Sequence, residues 1–261
     1  MLLSDGCPNT VEDLRVYESG ILDVAHAENI DLKTKLGLAT EEVSEEVLDF
    51  LLNKATDPYA FGANVTFFGR RRTLGVTDVF VTRQMVRWHA IHTVALVYRD
   101  AFHNQLNTRY QDQYQDYLRL SQEGRDKTLS FGIGIVGSPV PRPGPALLTQ
   151  IPANVVGATY FVRVSWVDTV GREGTPSEIT ALDVPDGQTP VVQVGLAPSS
   201  VVGFQVYMGL TETTLSRQNS VAIPVGQSFL IGTSALIVGS LPGNGQNPDY
   251  YVSGARLLRR G

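Results

Sequence analysis

Ser138-Pro-Val-Pro-Arg-Pro-Gly-Pro145 divides the chain into two stretches of different hydrophobic rhythm. Proline fixes φ and removes a backbone donor, so four prolines in eight residues favour an extended, semi-rigid connection over helix or sheet. Towards the C-terminus, Thr159-Tyr-Phe-Val-Arg-Val-Ser-Trp-Val-Asp168 alternates apolar and polar residues, the period of a half-buried strand. Shorter runs follow at 179–184, 190–195 and 203–208, then at 220–223 and, more weakly, 228–231. Turn residues such as Val170-Gly-Arg-Glu-Gly174 and Pro185-Asp-Gly187 separate them. Short strands at this spacing predict an antiparallel β-sandwich of about a hundred residues.

Towards the N-terminus the period becomes helical. Thr10 is placed as the cap of a helix over 10–28, with Glu12 and Asp13 in the first turn and Leu14, Tyr17, Ile21 and Val24 on one face. Asp31 caps a second helix to about Lys54. Its stripe is Leu32, Leu36, Ala39, Val43, Val47, Phe50 and Leu51, and Glu41, Glu42, Glu45 and Glu46 occupy the opposite face. Residues 55–80 read as a long loop with a short hairpin, carrying Arg70, Arg71 and Arg72. A third helix starts near Thr82, turning Val86, Ala90, Thr93, Val94, Val97 and Ala101 inward. A fourth runs to about Gln122 on Tyr110, Tyr114, Tyr117 and Leu118, with Gly124 as its stop; strand grammar begins at Thr128.

The expected fold is therefore α+β and multidomain: an N-terminal α-helical bundle over 1–137, a proline-rich linker over 138–145, a C-terminal antiparallel β-sandwich over 146–240, and an extended tail over 241–261. The composition fits packed domains: of 261 residues, 43% are hydrophobic and 18% charged. The formal net charge of -5 gives no general attraction to nucleic acid or anionic membranes, so any DNA contact must come from a local patch. A single cysteine, Cys7, forms no internal disulfide. The first residues lack the basic and apolar segments of a leader, and no run is long enough to span a bilayer, so the chain is expected to work in soluble form.

Several residue groups invite chemistry. His89 and His92 lie three apart on one helix with His103 further along, and the glutamates of the second helix would complete a metal site. The Glu-x-x-His pairs of di-iron bundles and the His-Glu-x-x-His motif are absent, and a packed helix explains the histidines more simply. Glu41, Glu42, Glu45 and Glu46 are better read as a solvated or inter-subunit face than as an acid/base pair. Phe131-Gly-Ile-Gly-Ile-Val-Gly137 lacks the lysine and serine of a phosphate loop. Asp168, Asp183 and Asp186 read as turn residues before they read as calcium ligands. No Ser/His/Asp elbow or Cys/His pairing emerges, and nothing calls for a cofactor. Arg70, Arg71 and Arg72, with Arg256, Arg259 and Arg260 near the C-terminus, are the sharpest local features. They are candidates for contact with an acidic partner or DNA, against the plainer reading of solvent-exposed basic segments.

Two helical stretches carry a resemblance. Ile30-Asp-Leu-Lys-Thr-Lys-Leu-Gly-Leu-Ala-Thr-Glu-Glu-Val43 and Arg87-Trp-His-Ala-Ile-His-Thr-Val-Ala-Leu-Val-Tyr-Arg-Asp-Ala-Phe102 resemble the head-to-tail connector (head-completion) adaptors of tailed bacteriophages, over about residues 1–137. The resemblance implies a structural virion protein with no catalytic activity. Copies of its helical bundle would pack side by side in a ring, usually a dodecamer, between the portal protein and a further neck or tail-completion protein. The ring would continue the DNA channel, with non-specific DNA contact. It also implies location in the virion neck after assembly in the host cytoplasm. A closed ring needs two different, complementary side surfaces. Glu41, Glu42, Glu45 and Glu46 opposite Arg70, Arg71 and Arg72 are the candidate pair.

Tyr160-Phe-Val-Arg-Val-Ser-Trp-Val-Asp168, Gly171-Arg-Glu-Gly-Thr-Pro-Ser-Glu178 and Gly203-Phe-Gln-Val-Tyr-Met-Gly209 resemble a fibronectin type III or immunoglobulin-like domain, an addition to the simple adaptor plan. Two other functions are carried alongside: a carbohydrate- or surface-binding module built on the sandwich, and a metal-assisted enzyme using His89, His92 and the glutamates.

Overall fold

The structure is a computed structural model and describes residues 1–56, 66–67, 70–71, 73–105, 108–153, 156–231 and 236–253, with 55–56, 66–67, 70–71 and 105 described in backbone alone. The class is α+β, with five α-helices and antiparallel sheets among the described residues. By internal contact the chain divides into two units. One is Gly6–Gly137 with the segment from Pro248; the other is Met1–Asp5 with Ser138–Asn247. The break at 137/138 falls where the proline-rich stretch begins. The termini differ from the sequence reading: each belongs to the unit on the far side of that break.

In the first unit, the helix expected over 10–28 is two helices, α1 (Val11–Tyr17) and α2 (Ile21–Ala27). Thr10 and Asp13 form a reciprocal capping box at the start of α1. The break follows from Glu18, whose carboxylate accepts the Gly20 N–H at 3.0 Å. α2 ends in a Schellman turn: Asn29 takes φ 53 and the Ile30 N–H reaches the Ala25 carbonyl at 2.8 Å. α3 (Leu32–Thr56) follows Asp31, which accepts from the Lys33 N–H and the Thr34 hydroxyl. Leu36, Ala39, Val43, Val47 and Leu51 form its buried stripe, while Phe50 is half-buried.

α4 (Arg83–Gln105) is buried on most sides because α1, α2, α3 and α5 all pack on it. α5 (Gln111–Phe131) runs through the expected stop at Gly124. Packing overrides propensity there: Gly124 lies against Trp88 of α4, where a Cβ would make van der Waals contact at 3.4 Å from Trp88 Cβ, and the helix continues across it. The helix instead ends at Gly132, at φ 113, and strand structure starts at Ile133, not Thr128.

The backbone of 66–67 and 70–71 forms a two-stranded hairpin, β1 (Thr66–Phe67) and β2 (Arg70–Arg71). β3 (Val79–Phe80) and β4 (Ile133–Ile135) pair antiparallel, and Tyr250–Val252 pairs with β4 on its other side. The expected C-terminal tail is corrected at this point. Alternating glycines in β4 admit the strand closely: a Cβ on Gly134 would meet the Tyr251 ring at 3.4 Å and Pro248 at 3.1 Å.

The second unit comprises β5 (Leu147–Pro152), β6 (Ala158–Asp168), β7 (Thr180–Val184), β8 (Gln188–Gln193), β9 (Val201–Gly209), β10 (Ser216–Arg217), β11 (Ile223–Pro224) and β12 (Phe229–Leu230); Tyr250–Val252 is β13. One sheet runs β10-β9-β6-β7 with β11 also on β9, and a second runs β12-β8-β5. Val162, Val164 and Trp166 of β6, Phe204, Val206 and Met208 of β9, and Val192 of β8 share one buried cluster. Trp166 stands edge-on to Phe204 at 6.4 Å. β5 escaped the sequence reading because most of its side chains are exposed and it shows no alternation. Met1–Asp5 is tied into this unit: the Asp5 carboxylate accepts from the Leu2 N–H (2.7 Å), the Arg142 N–H (2.8 Å) and the Thr175 hydroxyl (2.8 Å).

Candidate functional site

One side-chain constellation of the helical unit joins α3, α4 and α5. His92 on α4 donates from Nε2 to Glu42 on α3 at 2.6 Å, and its Nδ1 lies 3.0 Å from Ser121 Oγ on α5. Beside it Glu46 of α3 faces Arg125 of α5 at 3.6 Å. These groups, with Val43, Trp88 and Leu118, line a cavity of about 180 Å³.

A carboxylate–imidazole–hydroxyl line is the arrangement an acyl-transfer nucleophile uses. Here the hydroxyl belongs to a residue 4% exposed in the interior of α5, where the neighbouring N–H groups close intrahelical bonds and none is left to stabilise an oxyanion. The line ties three helices together. Lys35 of α3 and Asp100 of α4 form a second tie, and Tyr117 of α5 donates to Glu18 Oε2 at 2.8 Å, a third. Burial and the neighbouring Glu18 push the Tyr117 hydroxyl well above the usual phenol range, so it remains a donor.

His89 belongs to a separate network. Its Nδ1 accepts from Asn9 Nδ2 at 2.9 Å, and Nε2–H faces Thr40 Oγ1 at 2.9 Å and the Leu36 carbonyl at 3.3 Å. The Asn9 amide also donates to the Val86 carbonyl at 2.9 Å, which fixes its orientation and hence the tautomer of His89. Cys7 Sγ is 3.7 Å from Nε2, a Cys/His pairing that the sequence reading missed. The pairing is not that of an activated thiol: Nε2 carries the proton, and burial holds His89 at about 4, so the ring stays neutral. Neither ring nitrogen offers a free lone pair to a cation. His89 and His92 therefore serve different networks, His103 is exposed, and among the described residues no three histidine, cysteine or carboxylate side chains are placed to hold a metal.

The glutamate group splits. Half-buried Glu42 bonds His92, and Glu46, though exposed, faces Arg125 of α5, which corrects their assignment to one outward face; Glu41 and Glu45 are exposed and make no such contact. The cause is angular: positions 42 and 46 flank the buried Val43 and Val47, whereas 41 and 45 lie about 160° from Val43 at 100° per residue. Arg70 and Arg71 lie in β2, and their side chains fall outside what is described. Arg72, Arg256, Arg259 and Arg260 lie outside the described residues.

In the second unit a hollow of about 550 Å³ is bordered by Arg217, Gln218, Asn219 and Phe229. Arg217, Gln218 and Asn219 are already engaged. Gln218 bonds the Ser216 and Ile237 carbonyls and the Ile237 N–H, Asn219 bonds the Val206 N–H and the Val221 carbonyl, and Arg217 bonds the Asn219 and Ser220 carbonyls. A glycan hydroxyl arriving there would have to displace internal bonds.

The three aspartates serve local geometry. Asp168 accepts from the Val170 and Arg172 N–H groups and from the Arg172 side chain; Asp183 accepts from Thr159; Asp186 accepts from the Gly157 N–H. Thr159 and Asp168 sit at opposite ends of β6, roughly 30 Å apart at a strand's rise per residue, so the three share no calcium site.

The missed members of these networks, Asn9, Thr40 and Ser121, carry no periodic signal beyond a polar residue at an inward helical position. No protein-family model matches the chain, and a comparison with curated proteins finds none significantly similar to it.

Proposed function

We propose that this chain is a structural subunit of a tailed-phage neck: a helical-bundle adaptor domain elaborated by a fibronectin type III/immunoglobulin-like β-sandwich. The observation that carries the reading is that the two stretches bearing the resemblance lie against each other. Ile30–Val43 and Arg87–Phe102 supply the facing parts of α3 and α4, joined by Lys35–Asp100 at one end and Glu42–His92 at the other.

The sandwich reading is supported by strand order. β10-β9-β6-β7 follows the G-F-C-C′ order of an immunoglobulin sheet, β8 beside β5 follows E-B, and Trp166 sits buried on the strand corresponding to C. In this role the work is geometric. The subunit forms a ring with its copies, joins the portal protein to a further neck or tail protein and continues the DNA channel, with Arg70–Arg72 and the C-terminal arginines as contacts for partners or DNA.

The test is peptide mass spectrometry of purified particles, quantifying this chain against the portal protein. Near-equal copy number is expected; absence from well-purified particles overturns the reading.

A further inference from the structure

The helical unit carries two outward faces of opposite charge, on opposite sides of the α4/α5 pair. α3 packs on the side where Trp88, His92, Ser121 and Arg125 meet Glu42 and Glu46. Its outward stripe carries Leu38, Glu41, Glu45, Leu48 and the 45% exposed Leu52; neither Glu41 nor Glu45 has a cationic partner among the described residues.

The other side of the pair holds a groove of about 230 Å³ between α4 and α5, lined by Arg87 and Ile91 of one helix and Leu120, Lys127 and Phe131 of the other. Gly124, which packs against Trp88 of α4, also lines it. Phe131 is 65% exposed, and Arg83 borders an adjoining hollow with Phe80, Phe131 and Tyr251. Arg83 and Arg87 have no carboxylate partner among the described residues. The one acid at the groove, Glu123, is held by Arg119 at 2.8 Å and faces Lys127 at 3.9 Å. Glu41 and Glu45 on one face, and Arg83 and Arg87 on the other, are each four residues apart, so both charge pairs repeat at about 6 Å along their helices.

We propose that the α4/α5 groove receives the outward stripe of α3 from a second copy of this chain. Glu41 and Glu45 then meet Arg83 and Arg87 in matching register, with Lys127 across the same groove, and the leucines of α3 cover Ile91 and Phe131. Because donor and acceptor faces differ and lie on opposite sides, the contact is heterologous and propagates from copy to copy, as a ring requires. This identifies the lateral joint of the neck-ring reading and rests on that reading. It replaces Arg70–Arg72 with Arg83, Arg87 and Lys127 as the partners of the α3 glutamates.

The test uses the full chain. Equal amounts of 14N- and 15N-labelled protein are mixed at high concentration and low salt. A zero-length carbodiimide then joins carboxylates to amines in contact, and mass spectrometry reads the products. A mixed-isotope link from Glu41 or Glu45 to Lys127 is expected, falling about tenfold in Arg87→Glu as the complementary charge is reversed. E41K/E45K and R87E/K127E proteins should each fail to link alone. Mixed together, they should link positions 41 or 45 to 127 with acid and amine exchanged. Absence of the wild-type link, or a yield unchanged in Arg87→Glu, overturns the contact. Presence in particles at portal-like copy number without the link leaves the neck reading standing and removes this joint; the link without presence in particles does the reverse.

Discussion

Lowering the pH should destabilise the helical unit through His89. The ring is fully buried, its Nδ1 is occupied by the Asn9 amide, and burial holds it at about 4 against an ordinary 6.5. In the unfolded chain His89 takes up its proton below pH 6.5; in the folded chain it does so only near 4. Between those limits the unfolded state binds more protons, so stability is full above pH 6.5 and falls as pH drops towards 4. Each pH unit of that gap is worth about 1.4 kcal/mol. The loss relative to pH 7.5 is then about 2 kcal/mol at pH 5 and about 3 kcal/mol at pH 4, with most of the slope between them and 6.5.

The two tryptophans make the measurement specific, because Trp88 lies in the helical unit and Trp166 in the other. With 5-fluorotryptophan, 19F spectra along urea titrations report each unit separately. His89→Gln is the control: it lowers stability at every pH but has no imidazole to protonate. The wild type should lose about 3 kcal/mol more than His89→Gln between pH 7.5 and 4, on the Trp88 signal only. Parallel pH slopes in the two proteins would refute a buried neutral His89 as the source.

Three further outcomes are expected from the same assay. Gly132→Ala places a side chain at φ 113 and 3.1 Å from the Val252 carbonyl, so the Trp88 signal should report a loss of about 2 kcal/mol; an unchanged midpoint would contradict the tight β4/β13 approach. Glu42→Ala removes the acceptor of the His92 Nε2–H at a site 37% exposed, and the loss should be about 0.5–1 kcal/mol; an unchanged midpoint would argue against the bond. Asp5→Ala strands the Leu2 and Arg142 N–H groups and the Thr175 hydroxyl, and the Trp166 signal should fall by about 2 kcal/mol; a shift confined to Trp88 would contradict the assignment of Met1–Asp5 to the second unit.

Periodicity made the helices and the long strands legible. Leu36, Ala39, Val43, Val47 and Leu51 form the buried stripe that their spacing predicts, and Thr159–Asp168 lies within β6. Misreadings arose where a long-range contact decides a local outcome. Gly124 reads as a stop because glycine is a poor helix former, yet it sits where α5 must meet Trp88. Glu18 breaks the first helix through a bond from its side chain to Gly20, which no apolar pattern records. The glutamates at 41–46 look alike in sequence, and only the rotation of α3 against α4 and α5 separates Glu42 and Glu46 from Glu41 and Glu45. The polar networks around His89 and His92 were illegible because their members are remote in the chain: Asn9 and His89 are 80 residues apart, Glu42 and His92 are 50.

The crossed termini constrain how the rival function can be tested. A fragment over 146–240 looks like a removable module when the proline-rich stretch is taken as its only boundary. Such a fragment lacks Asp5, which accepts from Arg142 and Thr175, and Val140, a fully buried member of the core around Trp166. It also lacks Gln246, whose amide bonds the Val140 N–H at 2.7 Å and the Ser138 carbonyl at 3.0 Å. Failure of that fragment to bind a glycan would therefore be ambiguous between absent function and incomplete folding. The full chain removes the ambiguity. A sugar bound at the 550 Å³ hollow must compete with the internal bonds of Gln218 and Asn219, so Asn219→Ala, which strands the Val206 N–H, should destabilise the second unit before it reveals any ligand. A surface whose polar groups are spent on its own backbone recognises other molecules by shape. The groove between α4 and α5 differs in kind, since Arg87 there has no carboxylate partner among the described residues.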